Sequence, residues 1–170
     1  MTFQLNYNAM ARDINTFNER AGNNKKVTIE SLLSQSKVFF EEAEELHYAI
    51  KALHQLEVGD EATEDIAEEV LDGAVDTLYT LLRLTDMLNE AGFKVGKAFS
   101  EVHNSNMTKV FHKNAISGIT LKDGVKANLE VNGDWACYKD GNGKVVKHHN
   151  NFEKVGSLSD LIPSVEELLQ

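Results

Sequence analysis

Between Thr28 and Asn89 the chain has room for two long helices and nothing to break them. Its one proline is Pro163, and apolar residues recur through this stretch at helical spacing. Thr28 is a good N-cap, Gly59-Asp60 supplies a turn, and Gly92 supplies a stop. The pattern predicts one helix from Thr28 to about Leu56 and a second from about Ala62 to Asn89. Shorter helices are predicted over residues 7–20, ending near Gly22-Asn23-Asn24, and from Val95 to about Met107. The fold class expected is all-α: an antiparallel four-helix bundle spanning about residues 7–115 of a single 170-residue domain.

The long segments carry acids where a core-facing stripe should be. Glu41-Glu42-Ala43-Glu44-Glu45 has the pattern EExxE, and Glu69-Val70-Leu71-Asp72 the pattern ExxD, with Asp76 one turn further on. At about 100° per residue, Leu53, Leu46, Val38 and Ala49 all fall within about 40° of Glu42. Glu45 and Glu41 flank that arc, and Glu44 points well away. Around the second helix, Asp72, Asp76 and Arg83 lie within about 60° of Glu69, with Thr80 close on the other side. Most of its remaining circumference is apolar, which predicts a largely buried helix with an acidic groove along it.

Carboxylates three and four apart share a helix side, so two such helices packed together direct at least four into one cleft. Between residues 28 and 91 there are sixteen acids and only Lys37, Lys51 and Arg83 as bases, too few to pair them. An unpaired cluster repels itself, whereas a hard divalent cation takes oxygen ligands of this kind. The residues therefore point to a metal site.

The remaining charge is basic: ten lysines against six acids across residues 94–154. A metal on one wall of a site and an anion on the other fit this asymmetry. The overall charge of −10 argues against nucleic acid as a partner. A lone Cys137 excludes an internal disulfide and fits a reducing compartment. With no signal pattern in Met1–Asn6 and no stretch of membrane-spanning length, the expectation is a soluble, cytoplasmic protein without membrane contact.

Beyond about residue 115 the composition changes to turn dipeptides, at Asn132-Gly133-Asp134 and Asp140-Gly141-Asn142-Gly143. Ala136–Tyr138 and Lys144–Lys147 read as two strands joined by the second of these, a small C-terminal β-hairpin appendage within residues 116–170. Residues 156–170 are expected to form a short helix or turn.

EExxE followed by Glu69-Val-Leu-Asp72-Gly-Ala-Val-Asp76-Thr-Leu-Tyr79 resembles the all-α nucleoside triphosphate pyrophosphatases. These include MazG-like proteins, dimeric dUTPases and phosphoribosyl-ATP pyrophosphohydrolases. The DGxxDxxY continuation, Ser105-Asn106-Met107-Thr108-Lys109 and Asp140-Gly-Asn-Gly-Lys144-Val-Val-Lys147 are most similar to the phosphoribosyl-ATP pyrophosphohydrolase-like branch of phages and bacteria. The likeness spans most of residues 28–154.

The resemblance implies magnesium-dependent hydrolysis of a (deoxy)nucleoside triphosphate to the monophosphate and pyrophosphate, with manganese able to substitute. Glu42, Glu45, Glu69 and Asp72 would be the metal ligands, and Asp76 a further ligand or a carboxylate behind them. Glu41 would be the general base or the group orienting the attacking water. Lys109, Lys144 and Lys147 would meet the phosphates, and Asn106 the sugar or a phosphate. A homodimer or dimer of dimers is implied as well. It agrees with the apolar circumference of the two long helices, which exceeds what one neighbour covers. The segment around Lys144 and Lys147 would then complete its own site or its neighbour's.

After Lys147 the chain departs from the family pattern, with His148-His149-Asn150-Asn151-Phe152 where proline or glycine is common. Asn151 and Phe152 either form surface loop or close over a base. Three other readings stand beside the hydrolase. One is a non-catalytic helical protein that holds a nucleotide or partner in the acidic cleft, against which the presence of Glu41 speaks. Another is phosphoribosyl-ATP pyrophosphohydrolase itself, of histidine biosynthesis. The last, a di-iron bundle, has one Glu-x-x-His in Glu44–His47 but lacks the second copy it needs. His47 also lies about 140° around the helix from Glu42.

Overall fold

The computed structural model describes residues 6–23, 26–56, 63–121, 123–148 and 158–168. The protein is mostly helical, with a small antiparallel sheet. Its helices are α1 (Tyr7–Arg20), α2 (Ile29–Gln55), α3 (Thr63–Glu90), α4 (Val95–Met107) and the short α5 (Val165–Leu168). The strands are β1 (Phe111–His112), β2 (Asn128–Asn132) and β3 (Trp135–Lys139). Single 3-10 turns occupy Lys113–Gly118 and Leu158–Leu161. The chain forms two compact units, Met1–Phe93 with Ile162–Gln170, and Lys94–Leu161.

In the helical unit the ends of the long helices follow from their sequence. Thr28 Oγ1 accepts from the Ser31 amide at 3.2 Å while Ser31 Oγ accepts from the Thr28 amide at 2.9 Å, a reciprocal cap that satisfies two orphan donors. At the far end Gly92 adopts φ +93°, and the Phe93 amide reaches back to the Leu88 carbonyl at 3.0 Å. This closure needs a left-handed residue, which glycine adopts without a Cβ penalty. The turn expected at Gly59-Asp60 lies outside the described residues.

α2 and α3 run antiparallel. Gln35 of α2 meets Thr80 of α3, and Leu46 meets Gly73. α1 packs on α3, with the Phe17 and Tyr79 rings edge to face at 6.2 Å. Ile14 and Met87 are buried here, together with the polar Asn18, Thr80 and Arg83. Arg83 is held by Asp86 at 3.3 Å and Glu90 at 3.7 Å.

α3 is less buried than its apolar circumference predicts. Leu71, Val75 and Leu81 are exposed, as are Leu33 and Phe40 of α2. On α2, Leu33 and Phe40 sit about 160–180° around from Glu42, and on α3 Leu71 lies about 160° from Glu69. The exposed apolar residues nevertheless share the surface with acids: Leu71 and Val75 line a cavity with Asp65, Glu68, Glu69 and Asp72.

The fourth long helix stands in the other unit. The Lys94 amide, at the head of α4, donates to the Leu161 carbonyl at 2.9 Å, and Lys94 Nζ donates to the Asp160 carbonyl at 3.3 Å. α4 is therefore tied to the 3-10 turn that closes its own unit. The sheet has the order β1-β3-β2, all antiparallel, with Asn132 opposite Trp135 across a turn at Gly133-Asp134. Phe111, Ile119 and Ala136 form its buried cluster, flanked by Ile116 and Tyr138.

The hairpin partner of β3 is thus β2, and Lys144–Lys147 meets it only at a single bridge, Val145 opposite Lys139, made by the Val146 amide to the Tyr138 carbonyl at 2.9 Å and the Asp140 amide to the Lys144 carbonyl at 3.0 Å. The cause is Asp140. Its Oδ1 accepts from the amides of Asn142 at 2.9 Å and Lys144 at 3.0 Å, which holds the glycine-bearing turn and keeps the ladder from extending. Among the described residues no helix is long and apolar enough to cross a membrane.

Candidate metal centre

Helix pairing decides which carboxylates meet. With Leu46 beside Gly73, the turn bearing Glu41, Glu42 and Glu45 faces the turn bearing Asp72 and Asp76. Glu42 is half-buried, and its carboxyl is held above the usual range. Burial contributes most, followed by the charges of Asp76, Glu45, Glu41 and Asp72. Four acids from two helices thus repel one carboxylate, so the negative charge is concentrated on one line between α2 and α3.

Beside Glu42 lies a cleft of about 440 Å³. Glu45, Glu69, Asp72 and Asp76 line it, with Tyr48, Ala49, Ala52 and Gly73 as its uncharged wall. All the acids of the EExxE and ExxD patterns therefore border the cleft or the line of charge beside it, apart from Glu44, which is exposed and absent from both. His47 is exposed and rests edge-on against Tyr48, with ring centroids 5.7 Å apart.

The donors are all carboxylate oxygens, the chemistry that suits magnesium or manganese. Among the described residues no group of three His, Cys, Asp or Glu side chains is placed to hold an ion. Glu45, Glu69, Asp72 and Asp76 are all exposed.

The glycine that lets the helices approach was not singled out among the candidate residues. A Cβ built on Gly73 would stand 3.2 Å from Leu46 Cα. A glycine in mid-helix weakens the helix, so its place between Asp72 and the apolar run is itself the signal.

Asn106, Lys109, Lys144 and Lys147 belong to the sheet-bearing unit. There Lys109 Nζ donates to Asn106 Oδ1, joining two of them directly. Lys144 is fixed through its backbone by Asp140 and leaves its side chain exposed, as does Lys147.

His148 is buried in the structure rather than part of a surface loop. It is 1 % exposed, its Nε2 lies 2.9 Å from the Thr108 carbonyl, and its ring meets Phe111 edge-on at 5.2 Å. Lys109 and Lys147 each sit one residue from an end of this clasp, so it draws their backbones together. Asn151 and Phe152 lie outside the described residues.

No protein-family model matches the chain, and neither does any curated protein or solved structure.

Proposed function

We propose that the protein is a metal-dependent nucleoside triphosphate pyrophosphohydrolase, built as a helical bundle of the all-α pyrophosphatase type that is completed in a homodimer. The observation that carries this reading is Glu42, half-buried and surrounded by Asp76, Glu45, Glu41 and Asp72 from two antiparallel helices. Charge gathered at that density opposes folding unless a cation answers it.

In this reading Glu42, Glu45, Glu69 and Asp72 would hold magnesium, with Asp76 beside them, and the ion when bound would supply polarisation of phosphate oxygens and a lowered pKa of water. Glu41 adds its charge beside Glu42 from an exposed position, which suits a group that exchanges a proton with water. Its carboxylate accepts the proton of a water attacking the α-phosphorus, and pyrophosphate leaves as the α–β anhydride bond breaks. The departing group gains negative charge, which Lys109, Lys144 and Lys147 are suited to receive, with Asn106 positioning Lys109 through their hydrogen bond. The substrate is a free cytoplasmic nucleotide.

Turnover of a panel of nucleoside triphosphates, with products separated by chromatography, tests the assignment. Monophosphate and pyrophosphate should appear only with magnesium or manganese present. Diphosphate and orthophosphate as products would refute it. The second reading, a non-catalytic nucleotide holder, is favoured by the finding that no three His, Cys, Asp or Glu side chains among the described residues are placed to hold an ion. Magnesium-dependent nucleotide binding with no hydrolysis across the panel would establish it instead.

A further inference from the structure

Along the same helix pair, at the end away from the acidic cleft, lies a second cavity of about 300 Å³. Asn18 and Asn23 border it from the end of α1, Ser34, Gln35 and Val38 from α2, and Arg83 and Met87 from α3. We propose that this cavity seats the nucleoside of the substrate, its heterocycle and sugar, an inference that rests on the hydrolase reading above.

The lining differs in kind from the neighbouring cleft. α2 and α3 belong to a stretch with sixteen acids and three bases, yet not one carboxylate lines this cavity. Its buried cation is already engaged: Arg83 is 8 % exposed and bound by Asp86 and Glu90. The wall therefore presents polar but nearly neutral chemistry, with Lys26 exposed at the rim. Apart from Lys26 at the rim, the lining offers polar groups suited to an uncharged heterocycle.

The amides are placed to read one. Asn18 is 5 % exposed and fixed by its Nδ2 donating to the Ile14 carbonyl at 2.9 Å. Its Oδ1 accepts from Asn23 Nδ2 at 3.3 Å, so a buried amide orients a more exposed one at the cavity edge. Gln35 Nε2 reaches the Thr80 carbonyl at only 3.5 Å, the outer limit of a hydrogen bond, and that weak bond is readily exchanged for a ligand. Asn23 and Gln35 each carry a donor and an acceptor in one plane, the complement of a heterocycle's edge. Val38 and Met87 supply apolar surface for its faces.

Position makes the two cavities one site. Val38 precedes Glu42 by one helical turn, about 6 Å of rise, and Arg83 follows Asp76 by about 10 Å. A nucleotide seated by its base against the amides extends its α-phosphate along the groove toward Glu42 and Asp76. The volume, at the lower end for small-molecule sites, suits a nucleoside.

The test uses the full chain and a panel of ribo- and deoxynucleoside 5′-monophosphates without metal. Side-chain amide signals are followed by NMR and assigned with Asn23→Ala and Gln35→Ala. At least one nucleotide should shift the Asn23 and Gln35 signals while inorganic phosphate leaves them unmoved. Each variant, once a melting curve shows it folded, should bind that nucleotide about tenfold more weakly and raise KM by a similar factor. kcat and calorimetric magnesium affinity should stay as in the wild type. The proposal is overturned by a panel that shifts neither signal, by phosphate that shifts both, or by an unchanged KM in both variants. Binding at the amides without hydrolysis would remove the hydrolase reading and leave the pocket. Hydrolysis with unaltered KM in both variants would remove the pocket and leave the hydrolase.

Discussion

Gly73 of α3 lies so close to Leu46 of α2 that a Cβ there would stand 3.2 Å from Leu46 Cα and 3.3 Å from its Cβ. The contact sits between Asp72 and the cleft wall, so it sets how far apart the two rows of carboxylates run. Gly73→Ala should gain about 1 kcal/mol of helix propensity. It should lose about 1–3 kcal/mol by overpacking against the α2 backbone. Net stability should fall slightly, and magnesium affinity should fall by roughly three- to tenfold as the helices part. Calorimetric titration of magnesium into the variant checks this, and an affinity equal to wild type would show that the spacing at Gly73 does not matter to the metal.

Glu41 and the carboxylates facing the cleft should separate by their effects. Glu41→Gln keeps the side-chain shape but removes the proton acceptor, so kcat should drop by roughly 10²–10⁴-fold with metal and nucleotide binding retained. Glu45→Gln and Asp72→Asn each remove a charged oxygen ligand and should weaken magnesium by roughly tenfold or more. Titration with magnesium and a nonhydrolysable nucleotide distinguishes the classes. Equal loss of metal affinity in all three variants would deny Glu41 a role of its own.

Glu42 gives the metal-free protein a signature in pH. Its folded-state carboxyl is raised above 4.5 by burial and by its acidic neighbours. The native state therefore holds a proton that the unfolded chain has already released, and stability falls as pH climbs from about 4.5 through the folded value. Without metal, Glu42→Gln should melt higher than wild type above this window and alongside it below. Saturating magnesium should reverse the order, because only the wild type gains the ligand's binding energy. Melting curves from pH 4 to pH 8, with and without magnesium, read out both effects. Parallel curves at every pH would mean that Glu42 feels no such field.

The parts of the fold that were legible in the sequence are those set by local chemistry. The spans of α2 and α3 follow from Thr28, Gly92 and the apolar period, and α4 falls at Val95–Met107 where the pattern predicts it. The facing of the acids follows from the same helical arithmetic, since one register of an antiparallel pair brings Glu42 opposite Asp76. What the pattern could not show is which element packs on which. α4 has an amphipathic face like the others, yet it is bonded through Lys94 to the turn at Asp160-Leu161, a relation across more than sixty residues that no period encodes. The partner of β3 was misread for a similar reason: two turn signals flank it, and Asp140 closes one of them against extension. His148 escaped because its burial depends on Thr108 and Phe111, which lie far from it in sequence.

The clasp at His148 should be a separable element of stability. Its Nε2 donates to the Thr108 carbonyl, and His148→Ala removes that bond as well as opening a cavity beside Phe111. A loss of roughly 1–3 kcal/mol is expected from the lost bond and the cavity together. Hydrogen exchange should accelerate around Val110 and Phe111 while α2 and α3 keep their protection. Unchanged exchange there would mean that the sheet-bearing unit does not depend on this bond.

The exposed apolar residues predict the assembly. Phe40 is 65 % exposed and Leu71 67 %, and they lie about 160° around their helices from Glu42 and Glu69 respectively. Side chains of this size, left in water together with Leu33 and Val75, form the kind of surface that a second copy covers. In a monomer Phe40→Glu and Leu71→Glu would be harmless, since the new charge would be solvated. In a homodimer each places a carboxylate in an apolar interface, twice over by symmetry, at a cost that the association cannot meet. Wild type should scatter as at least a dimer at micromolar concentration and the double variant as a monomer with the same helical content by circular dichroism. A wild-type monomer with full activity would sink the prediction and confine every functional residue to one chain.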